Sequence, residues 1–184
     1  MSTRAQRNLE KGSSMVEFAL VGIPLIFILI SIFEISRGMW MYETVAHAVR
    51  EGARYAAVHG QDCTTSPNQC DAKFSDIAAR IRDGGVGLDP DQLNITITTA
   101  AGAGAGTYAS KGPSTLTTLL ADNSSFSGWT FGSPAGPATG AGTDVIVTGV
   151  FPFRSALAMF WPGSSNMSFS TVNLGATSRE RIAF

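Results

Sequence analysis

From Phe18 to Phe33 the chain runs sixteen residues without an Asp, Glu, Lys, Arg or His, and a single acid, Glu17, stands at the lip of that run with apolar Met15 and Val16 just before it. An uncharged apolar run of this length has to leave water. As a helix rising 1.5 Å per residue, Met15 to Phe33 extends ~28 Å, close to the ~30 Å hydrocarbon core of a bilayer. The stretch is therefore expected to cross a membrane. A secretory signal peptide would end at a small-residue site of the A-x-A kind, but the sequence beyond the run is "EISRGMWMY". A plain single-pass anchor fits the length and leaves Glu17 without a role. An acid at the bilayer centre costs about 2.5–3.5 kcal/mol and less near the interface, so its position is tolerable there and calls for a partner.

Charge placement sets the expected topology. Arg4, Arg7 and Lys11 against Glu10 give residues 1–12 a net +2 in a chain whose total is −1. Cationic flanks tend to stay in the cytoplasm, so the short head is expected inside and the remainder outside. The near-neutral balance offers no basic field for a phosphate backbone, and no nucleic acid is expected as a partner.

At "KGSSMVEF" the sequence resembles a type IV prepilin processing site, where a short basic leader ends in Gly and Glu is fifth in the mature chain. The resemblance implies cleavage by a prepilin peptidase between Gly12 and Ser13. It also implies an assembly charge pair between Glu17 and the new ammonium at Ser13, on the same chain or a neighbour. In low dielectric such a pair recovers much of the desolvation cost of both charges. The longer stretch with "VEFAL", an apolar span containing Pro24, Glu34 then Arg37-Gly38, and "REGARYAA" resembles the TadE-like pseudopilins of the tight-adherence (Flp pilus) systems over about residues 11–58. That family implies a minor pilin-like structural subunit. Its partners would be other pilin and pseudopilin subunits, the prepilin peptidase, an inner-membrane assembly platform and the lipid bilayer. An unprocessed membrane-anchored binding module is the alternative.

Past Phe33 the helical pattern does not stop. Ile28, Ile32, Ile35, Met39, Tyr42, Ala46, Val49, Ala53 and Ala56 recur at spacings of four and three, a heptad-like packing stripe. One helix from about Ser14 to Val58 would be ~68 Å long, more than twice the bilayer core, and would protrude as a stalk. Pro24 removes a backbone donor and crowds the Leu20 carbonyl, so a helix bend is expected there. Glu43, His47 and Glu51 share a helix face at i, i+4 and i+8, which reads as a solvated or ion-paired face before it reads as half a metal site.

Three segments are expected: a leader (1–12), a transmembrane and stalk helix (13–58), and an extracytoplasmic α+β head (59–184) with an antiparallel sheet of about three or more strands. Cys63 and Cys70 in "CTTSPNQC" are expected to form a disulfide ahead of a metal site or free thiols, since an extracytoplasmic compartment permits it and the small ring contributes roughly 2.5 kcal/mol. "DAKFSDIAARIRDGG" places Phe74, Ile77, Ala78 and Ile81 at helical spacing before a Gly-Gly stop. "LNITITTA" alternates as a half-buried strand, "DVIVTGVF" reads as a strand covered on both faces and ended by Pro152, and "MSFSTVNLGATS" reads as a strand with a bulge or an edge bend between Thr171 and Val172. Residues 100–143 hold nine Gly and three Pro and are expected to be mostly loop, with two helical turns in "STLTTLLAD" and a short strand in "FSGWTF". "FRSALAMFWPG" is expected to pack under the sheet. The only histidines are His47 and His59, and neither HExxH nor G-x-S-x-G occurs. No catalysis, cofactor or metal is expected.

Overall fold

A computed structural model describes the backbone of residues 3–61, 71–101, 105–129, 139–155 and 171–183, and their side chains except those of 3–14 and 101–108. The chain divides into two compact units, Met1–Met39 and Trp40–Phe184. Helix α1 (Thr3–Ala57) supplies the described part of the first unit and the opening of the second. It begins well before Ser14, because "TRAQRNLEK" is rich in good helix formers and contains neither Gly nor Pro.

In the first unit nearly every apolar side chain from Met15 to Phe33 is exposed: Phe18 is 80% accessible and Leu20 71%. Large side chains left bare along an entire helix are matched to lipid rather than water. The serine hydroxyls in and just past this run bond back to the helix itself. Ser31 Oγ donates to the Phe27 carbonyl at 2.8 Å, and Ser36 Oγ to that of Ile32 at 2.9 Å. The helix runs on through Pro24.

The second unit is α+β. Helix α2 (Phe74–Gly84), strand β1 (Asn94–Ala101), strand β2 (Ala105–Thr115), the short helix α3 (Leu116–Leu120), strand β3 (Asp144–Phe153) and strand β4 (Val172–Arg181) follow in order. The strands form one antiparallel sheet in the order β2-β1-β3-β4. In register, Ile95 faces Gly149, Ile97 faces Val147 and Thr99 faces Val145, which sets one apolar face toward the core. The opposite face carries cross-strand polar pairs: Thr148 and Thr177 hydroxyls lie 3.1 Å apart, and Arg179 Nε donates to Asp144 at 3.1 Å.

The core fills the space between the inner sheet face and the helices. Val45, Ala48, Val49, Ala53 and Ala56 of α1 are buried against Ile77, Ile81, Ile95 and Val147. Two glycines make this approach possible. A Cβ on Gly52 would lie 2.5 Å from Ile81 Cγ1, and one on Gly149 would lie 2.9 Å from Val49 Cγ1. The C-terminal end of α1 is tied down by distant chain: Ala183 N–H donates to the Ala57 carbonyl at 2.9 Å, and Ser127 Oγ donates to the His59 carbonyl at 3.3 Å.

α2 carries the expected apolar face, with Phe74, Ile77, Ala78 and Ile81 all buried. Its N-terminus is fixed by the Asp76 carboxylate, which accepts from the Lys73 N–H at 2.9 Å. Phe74 meets Phe126 and Trp129 edge-on, with centroids 5.6 and 5.1 Å apart. Lys111 of β2 lies 4.3 Å over the Phe74 ring, bonds Ser124 Oγ at 2.8 Å and is ion-paired with Asp122. Although partial burial pushes the Asp122 carboxyl up, hydrogen bonds from Lys111 and Ser124 outweigh it and hold the pKa at about 2.

Three expectations need correction. The Gly-rich segment holds a long strand that was not expected: among its described residues β2 takes Ala105–Thr115 as an edge strand. Its ladder skips Gly112 and Pro113 in passing from Ser114↔Ile95 to Lys111↔Ile97, the irregularity that lets an edge strand hold a proline. "FSGWTF" is no strand where it is described: the Trp129 N–H donates to the Phe126 carbonyl at 3.0 Å and closes a turn. Pro152 does not end β3 but pairs with Asn173 inside it, and the strand's outer residues Ile146, Thr148 and Val150 are only half-buried. β4 runs unbroken from Val172 to Arg181; the irregularity expected between Thr171 and Val172 falls at its start, and residues 167–170 lie outside the described residues. Cys63, Cys70 and most of "FRSALAMFWPG" lie outside the described residues.

Candidate functional site

Three places along α1 carry the residues that sequence pattern singled out. The first is the rim of the apolar run. Glu17 is exposed between Val16 (65%) and Phe18 (80%), and among the described residues it has no hydrogen-bond or ion-pair partner. Gly12 and Ser13 lie within the helical backbone four to five residues before it, and their side chains are outside the description. A carboxylate set among bare apolar side chains forms an acceptor for a cation that reaches the same depth. Near Pro24, Phe18, Ala19, Gly22, Ile23, Leu25 and Ile26 outline a shallow, wholly apolar groove of about 410 Å³. A Cβ on Gly22 would meet only Phe18 Cε1 at 3.9 Å, so this glycine leaves the helix surface open rather than serving a contact within the unit.

The second place follows the run. Glu34 is buried (7%), and its Oε1 accepts from Arg37 Nη1 at 3.4 Å across one helical turn. An acid withdrawn this far needs a charged donor, and the i, i+3 arginine provides one. Glu34 enters the sequence reading only through the family resemblance, with no role assigned to it. The signal was present as an acid three residues before Arg37-Gly38, but without burial it reads as an ordinary rim charge.

The third place is "REGARYAA", Arg50 to Ala57, which folds as a packing device. Gly52, Ala53, Ala56 and Ala57 are buried, and their small size admits α2 and the sheet. Tyr55 stacks on His59 with centroids 4.1 Å apart, and the Arg80 guanidinium sits 5.2 Å over the Tyr55 ring. Arg54 Nη1 lies 3.7 Å from Glu51 Oε1. Glu51, Arg54, Tyr55, Val58 and Arg80 line an open groove of about 370 Å³. Of its charged groups, Glu51 and Arg54 face each other and Arg80 covers the Tyr55 ring. His47 Nδ1 approaches the Gly84 carbonyl at 3.3 Å, so it joins α1 to the end of α2 instead of Glu43 and Glu51. Among the described residues no three His, Cys, Asp or Glu side chains cluster as metal ligands.

The predicted stripe thus divides. Ile28, Ile32, Ile35, Met39 and Tyr42 are exposed, Ala46 is half-buried, and Val49, Ala53 and Ala56 are buried. The buried face also takes in Val45, Ala48 and Gly52, which the heptad count passed over. A straight helix at 3.6 residues per turn drifts off a 3.5 repeat, which brings these neighbours onto the inner face.

Residues 12–54 match the family model described as TadE-like protein. No curated protein and no solved structure matches the chain. The match begins at Gly12 and ends at Arg54, so it covers the rim, the apolar run and most of the small-residue packing segment. A TadE-like segment on a helix long and apolar enough to cross a membrane fits a single-pass membrane protein related to the tight-adherence pilus.

Proposed function

We propose that this TadE-like chain is a minor pilin-like building block of a tight-adherence (Flp) pilus. It sits in the inner membrane with residues 1–12 inside, and a prepilin peptidase removes those residues by cutting after Gly12. The observation that carries the proposal is Glu17, an exposed carboxylate without a partner among the described residues, flanked by bare apolar side chains and lying within the TadE-like match. Cleavage creates an ammonium at Ser13, four residues or about one helical turn away. Paired with Glu17 of the same chain or a neighbour, it offsets the cost of holding an acid near lipid and fixes the axial register of packed spans. Pilin and pseudopilin neighbours would lie along the exposed Ile28, Ile32 and Ile35 side, where apolar side chains face lipid until another helix replaces it.

Intact mass of the membrane-extracted protein tests the processing step: the mature chain is expected to begin at Ser13. A retained leader would instead support an unprocessed anchor that displays the second unit. Glu17→Ala is expected to be processed and inserted normally but to be depleted at least several-fold from assembled pilus fractions. Unchanged incorporation would remove the charge pair from the account.

A further inference from the structure

The second unit opens with Trp40, an exposed indole (55%) that stands two helical turns beyond the end of the apolar run at Phe33. Its ring lies against the turn that follows α2. A Cβ placed on Gly87, whose φ is +86°, would come within 3.1 Å of Trp40 Cη2. Glycine is therefore required there twice over, for the left-handed backbone and for the space the indole occupies. The turn "GGVGL", Gly84 to Leu88, has no charged residue, and Val86 at its tip is 70% exposed while Leu88 packs toward the core. The nearest charges in sequence are already engaged: Asp83 accepts from Arg82 at 2.9 Å, and Asp89 accepts from the Asp91 N–H at 3.0 Å and from Gln92 Nε2 at 2.8 Å.

The geometry points to a second membrane contact made by the folded unit itself, in which Trp40 and the Val86 turn seat in the interfacial layer of the bilayer that α1 crosses. This rests on the membrane-spanning reading of α1. Indole rings favour the headgroup level, where the apolar body and the N–H donor are both satisfied. A bare valine on an uncharged glycine turn is poorly suited to water and well suited to the acyl boundary. The occupant is the lipid interface, because Trp40 follows the apolar run by only seven residues of the same helix and neither the indole nor any side chain of the turn against it is charged. Such a contact restricts how the second unit tilts against the membrane surface, and so fixes which face it offers to a neighbouring subunit.

The test uses the full chain in phosphatidylcholine–phosphatidylglycerol vesicles, with an environment-sensitive fluorophore on Val86→Cys. The unsubstituted protein, carried through the same labelling, supplies the blank. Val172→Cys, on the exposed β4 side chain (57%), is the reference, and Ile26→Cys reports the span. Lipids bearing a headgroup nitroxide are expected to quench position 86 at least twofold more than position 172, with a blue-shifted emission at 86. Equal quenching at 86 and 172, with position 26 quenched by an acyl-chain nitroxide, overturns the interfacial contact alone. If position 26 is not quenched by the acyl-chain nitroxide, the span reading falls and this contact falls with it.

Discussion

The same helix serves two solvents, and its side chains change size where the solvent changes. Along the first unit the exposed positions are large: Phe18, Leu20, Ile28, Ile32 and Phe33. In the second unit the buried positions are small: Val45, Ala48, Val49, Gly52, Ala53 and Ala56. Lipid chains are fluid and accommodate bulky branched side chains at no packing cost. A fixed protein wall has to be met at van der Waals distance, so a helix lying between α2 and a sheet is trimmed to Gly and Ala. Apolarity is common to both halves, and volume is what separates them.

Truncating an apolar residue in each half should give the widest contrast. Ile81→Ala empties a fully buried site beneath Gly52 and is expected to lower the stability of the second unit by about 4 kcal/mol. Ile32→Ala, on the exposed face, should change it by less than about 0.5 kcal/mol. Thermal unfolding of the detergent-solubilised protein, followed by near-ultraviolet circular dichroism, measures both, and equal losses would erase the distinction between the halves.

Adding volume is the reverse experiment and should give a smaller gap. Gly52→Val drives methyls into Ile81 and is expected to cost about 3 kcal/mol, whereas Gly22→Val enters open space and should stay within about 0.5 kcal/mol. A tolerated Gly52→Val would mean that α2 does not hold its close approach to α1.

The smallest effect concerns charge. Asp122 is held near a pKa of about 2 against an ordinary 3.8, so the folded state keeps this carboxylate ionised when the unfolded chain would protonate it. Its contribution is complete above about pH 4 and is lost as pH falls toward 2. Acid titration should therefore loosen the second unit while the helical signal of the apolar run persists, and Asp122→Asn should flatten the acid limb between pH 4 and 2. An unaltered limb would show that the Lys111–Asp122 pair carries none of this dependence.

Much of this was legible in sequence. The apolar run and the position of Glu17 follow from charge counting alone, since sixteen residues without a charge on one helix are not left facing water. The faces of α2 and β1 follow from periodicities of 3.6 and 2, because each element buries one side. The edge strands were harder to see. β2 is written in Ala, Gly, Ser and Pro, and the second half of β4, "TSRER", is polar on both faces, so neither announces itself by pattern. Each exists because a neighbour already in the sheet offers unpaired N–H and C=O groups, which is a non-local cause.

What the sequence by itself determined is where the chain must leave water and which short segments have an inside and an outside, since hydrophobic burial is proportional to apolar area and area can be read residue by residue. What only the tertiary structure decided is which side of α1 turns inward beyond Met39, why Gly52 and Gly149 have no side chain, and why Gly87 lies under Trp40. Those depend on excluded volume between residues far apart in the chain, and steric fit has no one-dimensional signature.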